Sequence, residues 1–130
     1  MHVVDHVELH TADYEQAKRF YEQALAPLGV AVLMEVKSDR TGLGVAAGFG
    51  RGQKPSFWLA KTERTTASVH LAFVAESRAA VDAFYEAALA AGGRDNGPPG
   101  LRPRYSAGYY AAFVFDLDGH NVEAVYRQPG

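Results

Sequence analysis

The sequence predicts an α+β fold made of two βαβββ modules related by a pseudo-twofold repeat. Residues 68–93 repeat residues 4–29 at an offset of 64 positions, and internal repetition is a direct sign of repeated architecture. Each copy begins with alternating apolar residues and continues into an amphipathic helical pattern. We therefore expect two modules, residues 1–64 and 65–130, whose curved mixed sheets form a cleft or half-barrel with the helices outside.

The first module is predicted as strand, helix and three strands. Residues 3–9 alternate as a half-buried strand does, and Asp13 with Gln16 forms a capping-box pattern before the helix. Gly29 follows the helix, where a left-handed residue commonly ends it. Apolar runs then predict strands over 30–36, 42–50 and 56–60. The apolar stripe of the helix is Ala17, Phe20, Tyr21, Ala24, Leu25 and Leu28.

The second module follows the same order. Residues 68–74 alternate, Ser77 is placed to cap a helix, and strands are predicted over 109–116 and 121–126. Residues 94–103 are rich in Gly, Pro and Asn, which predicts a loop.

Composition restricts the possible functions. The 130 residues contain no cysteine, which excludes a thiol nucleophile and a cysteine-ligated metal. Thirteen Lys and Arg against fifteen Asp and Glu give a net charge of −2 without a basic run, so a nucleic-acid partner is not expected and a small molecule is. No apolar run could span a membrane, and the polar N-terminus is unlike a secretory signal, so a cytoplasmic location is predicted.

The repeat places two histidines, His6 and His70, at equivalent positions of the two first strands. Aligning the last strands at an offset of 65 makes Trp58 and Glu123 equivalent. Two imidazoles and a carboxylate on the non-helix faces suit a divalent ion such as Fe, Mn, Ni or Zn. Each residue also has an ordinary structural explanation, because a single strand histidine is more often hydrogen-bonded than metal-bound and a buried glutamate needs a partner.

Other residues are candidates for substrate binding. Met34, Phe49 and Trp58 either wall a pocket or pack in the core. Arg102 and Arg104 either grip an anionic group or lie in a solvated loop. Their tyrosine neighbours, Tyr105 and Tyr109, are candidates for assisting proton transfer.

Four segments together resemble the vicinal oxygen chelate superfamily, also called the glyoxalase, bleomycin-resistance and dioxygenase superfamily. They are Asp5-His6-Val7, the first helix from Asp13 through Phe20-Tyr21, residues 68–73, and residues 116–123. The resemblance covers nearly the whole chain. It implies a divalent metal at His6, His70 and Glu123, a substrate that chelates through adjacent oxygens, and a homodimer.

The resemblance also places the fourth ligand position on Trp58, where glyoxalase I enzymes usually have a carboxylate or imidazole. The implied activities are therefore those of ring-cleaving dioxygenases and metal-dependent thiol transferases more than that of a lactoylglutathione lyase. A metal-free protein that sequesters a drug, as bleomycin-resistance proteins do, is the alternative. In the enzyme hypothesis Glu123, Tyr105 and Tyr109 are catalytic, and Arg102 or Arg104 holds the substrate.

Overall fold

The computed structural model describes residues 3–37 and 44–129. Eight strands and two α-helices follow the order β-α-β-β-β twice. The first module contains β1 (Val7–Thr11), α1 (Tyr14–Leu25), a short 3₁₀ helix (Ala26–Leu28), β2 (Ala31–Val36), β3 (Ala46–Gly50) and β4 (Phe57–Lys61). The second contains β5 (His70–Val74), α2 (Arg78–Ala90), β6 (Arg94–Leu101), β7 (Tyr109–Phe115) and β8 (Asn121–Arg127).

The strands form two open mixed sheets with the same connectivity. The first sheet has the order β1-β4-β3-β2 and the second has the order β5-β8-β7-β6. In each sheet the first and last strands of the module are parallel neighbours, and the other pairs are antiparallel. The predicted α+β class with two repeated βαβββ modules is thus confirmed.

One hydrophobic core joins the two modules. It contains both helices and the helix-facing residues of both sheets, including Phe20 and Leu59 from the first module and Phe84 and Val122 from the second. The face of each sheet that points away from the helices is called here its outer face. Alternation along the strands puts Glu8 and His10 on the outer face of the first sheet, because Leu9 and Thr11 are buried on the other.

The two predicted helix caps have different outcomes. The Ser77 hydroxyl accepts a hydrogen bond of 3.0 Å from the backbone N–H of Ala80, as predicted. The capping-box prediction for Asp13 is wrong, because its side chain makes no cap bond. Thr11 Oγ1 instead accepts from the backbone N–H of Asp13 at 3.2 Å. Gly29 has φ 75° and ends the 3₁₀ helix, which confirms its predicted left-handed conformation.

This difference gives a paired stability prediction. Ser77→Ala is expected to lower the free energy of unfolding by about 1 kcal/mol, because the Ala80 N–H loses its partner. Asp13→Ala is the matched control and should change it by only a few tenths of a kcal/mol, since only its charge near the helix start is lost. Urea denaturation of both variants measures the difference. Equal losses would contradict the capping assignments.

The loop predicted over 94–103 is wrong for most of its length, because residues 94–101 form the edge strand β6. This strand pairs with β7, and its register shifts between Asp95 and Gly97 and again between Gly97 and Gly100. Pro98 and Pro99 fall inside the second shift. Proline is tolerated at the edge of a sheet and at such irregularities, which reconciles the composition with a strand.

Other boundaries differ by a few residues. The first strand begins at Val7 and not at Val3, so His6 lies just before it. The predicted strand over 42–50 is described only from Gly44 onward and is a strand from Ala46. Gly42, Leu43 and His2 lie outside the described residues. No helix in residues 3–37 or 44–129 is long and apolar enough to cross a membrane.

Candidate functional site

The outer face of the second sheet holds a buried carboxylate with two partners. Glu123 lies in the middle of β8 and is 1% exposed. Its Oε1 is 2.8 Å from His70 Nε2, and its Oε2 accepts a hydrogen bond from the Tyr109 hydroxyl. The sheet register explains the meeting, because β8 lies between β5, which carries His70, and β7, which carries Tyr109. The predicted proximity of His70 and Glu123 is therefore present within one chain.

Burial and the neighbouring carboxylate both act on Tyr109. Burial, followed by the hydrogen bond to Glu123, raises the pKa of Tyr109 to about 12. The hydroxyl therefore keeps its proton at neutral pH and acts as a hydrogen-bond donor to Glu123. An apolar cluster of Tyr109, Ala111, Phe113 and Val125 surrounds this position on the same face. His70 stays half-exposed beside it, so one side of the pair is open to solvent.

Aromatic and cationic side chains surround the Glu123 position. The Tyr105 ring packs edge-on against Tyr109 with centroids 5.1 Å apart, and it is largely exposed. The Arg127 guanidinium lies 4.8 Å from the centre of the Tyr109 ring. Arg127 is paired with Tyr109 in the sheet register and is exposed at the end of β8. Arg127 was not among the residues predicted from the sequence, although its spacing of four residues from Glu123 places both on one face of a strand.

The two arginines predicted to bind substrate have different surroundings. Arg102 donates to the backbone oxygens of Gly100 at 2.9 Å and Pro98 at 2.7 Å, and it stacks on Phe113. Two of its nitrogens therefore hold the irregular end of β6 in place. Arg104 lies exposed in the segment between β6 and β7.

The outer face of the first sheet carries a row of four residues across its strands. Met34 is paired with Gly48, Gly48 with Trp58, and Trp58 with Glu8. The equivalent row of the second sheet includes Phe113, Glu123 and Ala72. Trp58 and Glu123 thus occupy equivalent places, as the offset alignment predicted. A Cβ atom on Gly48 would lie 2.8 Å from the Trp58 ring, so the indole covers Gly48 on β3.

The three predicted pocket-wall residues do not share one environment. Met34 is 54% exposed and Trp58 is half-buried, both on the outer face. Phe49 is 0% exposed and packs in the core against Tyr21 and Phe57. Its strand position faces the helices, so Phe49 belongs to the core and not to a pocket wall.

His6 is not close to the His70 and Glu123 pair within one chain. It is exposed, and its Nδ1 is 2.7 Å from Asp5 Oδ1. Among residues 3–37 and 44–129, no group of three or more His, Asp or Glu residues is placed to share a metal ion. Within one chain His70 and Glu123 therefore form a pair, and His6 lies apart from it.

The other histidines have local roles. His120 is 1% exposed, and its Nδ1 accepts a hydrogen bond from the Val69 N–H at 3.2 Å. His10 is half-exposed, and its Nε2 is 2.8 Å from Glu8 Oε2.

A cavity of about 840 Å³ lies between the two modules. Its lining is mainly apolar and includes Phe57 of β4 and Phe73 of β5, together with Arg51 and Lys54. Both cations are already bound, since Arg51 donates to the backbone oxygens of Leu28 and Val74 and Lys54 pairs with Asp5. The cavity lining contains neither His70 nor Glu123, so this hydrogen-bonded pair lies outside the cavity.

Comparison with known proteins identifies the family. The model of the "Glyoxalase/Bleomycin resistance protein/Dioxygenase superfamily" matches residues 3–124. The chain belongs to this superfamily. Among curated proteins, none matches the sequence.

Solved structures of the superfamily have the same fold. A glyoxalase/bleomycin resistance protein from Albidiferax ferrireducens T118 is 28% identical, with a TM-score of 0.79 over 98% of this chain and 100% of that one. A glyoxylase/bleomycin resistance protein/dioxygenase domain from Frankia sp. EAN1pec is 20% identical, with a TM-score of 0.72 over 98% and 99%. Glyoxalase I from Zea mays is 18% identical, with a TM-score of 0.72, and the match covers 98% of this chain and 45% of that one. The last two similarities concern the fold.

Proposed function

We propose that this superfamily member is a divalent-metal-dependent enzyme acting on a small substrate that presents two adjacent oxygens. The observation that carries the proposal is the 2.8 Å approach of His70 Nε2 to Glu123 Oε1 beside the apolar cluster of the second sheet's outer face. The reaction classes that fit are those of a lyase, a dioxygenase or a thiol transferase.

The donor pair fits a metal ion. An imidazole nitrogen and a carboxylate oxygen are ligand types that divalent ions such as Zn²⁺ accept. His70 Nε2 and Glu123 Oε1 are adjacent at 2.8 Å in a direct hydrogen bond, and a bound ion would take the place of that bond. Tyr109 donates to the other Glu123 oxygen and would orient the carboxylate, as partners of metal ligands usually do.

The third ligand, His6, would come from a second copy of the chain. The separation of His6 from the pair within one chain and the exposure of both histidines support this arrangement. Two copies in a closed dimer would then form two equivalent sites, each containing His6 of one copy with His70 and Glu123 of the other.

A bound divalent ion would polarise the substrate oxygens as a Lewis acid. The chain's own residues would bind and orient the substrate. Tyr105 is exposed beside Tyr109 and is the tyrosine placed to reach a ligand. Arg104 and Arg127 are the exposed cations of this part of the sheet, whereas Arg102 holds β6. A substrate with an anionic group is therefore the best match.

A metal-free binding protein of the bleomycin-resistance type is the second candidate. One observation favours it, because both Glu123 oxygens already have partners in His70 and Tyr109. A buried carboxylate that is fully hydrogen-bonded does not require an ion for its stability. In that case the same outer face would bind an organic ligand without metal.

Metal binding separates the two candidates. Protein prepared without chelator should contain a stoichiometric divalent ion by elemental analysis, and Ni(II) should bind to the metal-stripped protein in calorimetry. His70→Ala and Glu123→Gln are each expected to lower Ni(II) affinity at least about a hundredfold, since each removes one of few ligands. Glu22→Gln, an exposed carboxylate on α1, is the control. If the wild-type protein contains no stoichiometric divalent ion and does not bind Ni(II), the enzyme proposal is contradicted and the second candidate is supported.

Mixing variants tests whether the site lies between two copies. His6→Ala and His70→Ala should each abolish binding alone. After exchange of subunits, half of the dimers would be mixed and one of their two sites intact, so about a quarter of wild-type binding should return. A mixture that regains no Ni(II) binding despite subunit exchange would contradict a site shared between two copies.

A further inference from the structure

The equivalent rows on the outer faces of the two sheets each contain one glutamate, but the two glutamates lie on different strands of their modules. In the second sheet the carboxylate is Glu123 on the last strand, and its neighbour on the first strand is Ala72. In the first sheet the last-strand residue is Trp58, and its neighbour on the first strand is Glu8. The acidic residue of the first row therefore lies one strand to the side of the position that corresponds to Glu123.

This sideways shift is small in space. Neighbouring strands are about 4.8 Å apart, and the side chain of glutamate is long enough to cover that distance. Glu8 and Trp58 are direct partners in the parallel register and share the outer face. A carboxylate on Glu8 can therefore reach the region that a carboxylate at position 58 would serve.

The Trp58 side chain leaves that region open. Its indole lies over Gly48, and Gly48 belongs to β3, on the opposite side of β4 from Glu8. A side chain at position 48 would collide with the ring, since a Cβ there would be 2.8 Å from it. The glycine thus lets Trp58 turn away from β1, and Glu8 remains about half-exposed.

Glu8 is also held in place by a histidine. His10 Nε2 lies 2.8 Å from Glu8 Oε2, the same separation as between His70 and Glu123. His10 is two residues further along the strand and lies on the same face. The His10 imidazole therefore fixes the orientation of the Glu8 carboxylate through this hydrogen bond.

From these observations we propose that Glu8 is the carboxylate that the first module contributes to the active site. It would stand beside His6 of the same copy and act, through a carboxylate oxygen, as the fourth ligand of the ion held by His70 and Glu123 of the other copy. The site would then have four ligands, two histidines and two glutamates. Without Glu8 it would have three, because Trp58 occupies the fourth ligand position and cannot bind a metal ion. This inference rests on the proposed function, because it needs the metal site that His70 and Glu123 begin.

Calorimetric titration of metal-stripped protein with Ni(II) tests the inference without an activity assay. Glu8→Gln removes the negative charge and keeps the shape, and it is expected to weaken Ni(II) binding at least about tenfold. Glu22→Gln should bind as the wild type does. His10→Ala should weaken binding by a smaller factor, since Glu8 stays but loses its partner.

A rescue variant distinguishes a ligand from a residue that only affects folding. Adding Trp58→Glu to Glu8→Gln places a carboxylate one strand away, on the same face, and should restore most of the lost affinity. Circular dichroism and thermal unfolding of the metal-free variants check that all are folded.

The outcomes separate this inference from the proposed function. If Glu8→Gln binds Ni(II) like the wild type while His70→Ala does not bind it, the inference about Glu8 is wrong and the metal site stands. The same holds if Glu8→Gln weakens binding but Trp58→Glu restores nothing. If the wild type does not bind Ni(II), Mn(II), Fe(II) or Zn(II), both proposals are overturned.

Discussion

Phe49→Ala is expected to lower the free energy of unfolding by about 3–5 kcal/mol, the usual cost of truncating a buried phenylalanine. The ring is 0% exposed and lies between Tyr21 and Phe57, with ring centroids 6.4 and 5.6 Å away. Its removal leaves a cavity between α1 and the first sheet. A loss of this size is a large part of the stability of a domain of this length.

Met34→Ala is the matched control, because Met34 lies on the neighbouring strand β2 and was a candidate for the same pocket wall. Its side chain is 54% exposed on the outer face, so its truncation should cost less than about 1 kcal/mol. Urea denaturation of the two variants gives both values. Similar losses would show that burial does not distinguish these positions.

The repeat made most of the fold predictable. A shared pattern at a fixed offset constrains both modules at once, so Ser77 and Gly29 could be assigned from one strand-helix template. The capping box at Asp13 could not, because Thr11 Oγ1 accepts from the Asp13 N–H that the Gln16 side chain would bond in such a box. Competition between neighbouring acceptors depends on backbone angles that residue type does not determine.

The edge strand β6 shows the limit of local composition. Glycine and proline predict a loop because they disfavour regular strands. The second module nevertheless needs a fourth strand beside β7, and an edge strand tolerates the two register shifts between Asp95 and Gly100. Tertiary pairing therefore outweighs the local preference.

The His70 and Glu123 pair of the candidate site was predictable, because the repeat and the alternation of side chains along strands together determine which face each residue occupies. Once Glu123 was aligned with Trp58, alternation placed it on the same face as His70, and the structure brings the two together. The hydrogen bond between Tyr109 and Glu123 was harder to predict, because it depends on the antiparallel register of β7 with β8. The Glu8 and Trp58 partnership needs the parallel register of β1 with β4, which no local pattern determines.

The last segment of the resemblance, residues 116–123, has a structural role in addition to supplying Glu123. Asp116 is buried and accepts hydrogen bonds from the Tyr21 hydroxyl, the Asp118 N–H at 2.9 Å and the His120 N–H at 2.8 Å. Asp118 in turn accepts from Thr11 Oγ1 at 2.9 Å. The turn between β7 and β8 thereby ties the second module to α1 and β1 of the first. Burial, with Asp116 beside it, holds the pKa of Tyr21 well above its usual value, so the hydroxyl remains a donor.

Asp116→Ala should therefore be the most damaging polar substitution of this turn, with a loss of about 3–5 kcal/mol, because several buried donors lose their acceptor at once. Tyr21→Phe removes one donor together with its bond and should cost about 1–2 kcal/mol. Asp118→Ala breaks one half-buried bond and should cost about 1 kcal/mol. Denaturation of metal-stripped protein measures these losses apart from any ligand effect. If Asp116→Ala cost no more than Asp118→Ala, the contact between the modules would depend on apolar packing alone. The expected order instead gives Asp116 the larger share of the polar contacts that join this turn to the first module.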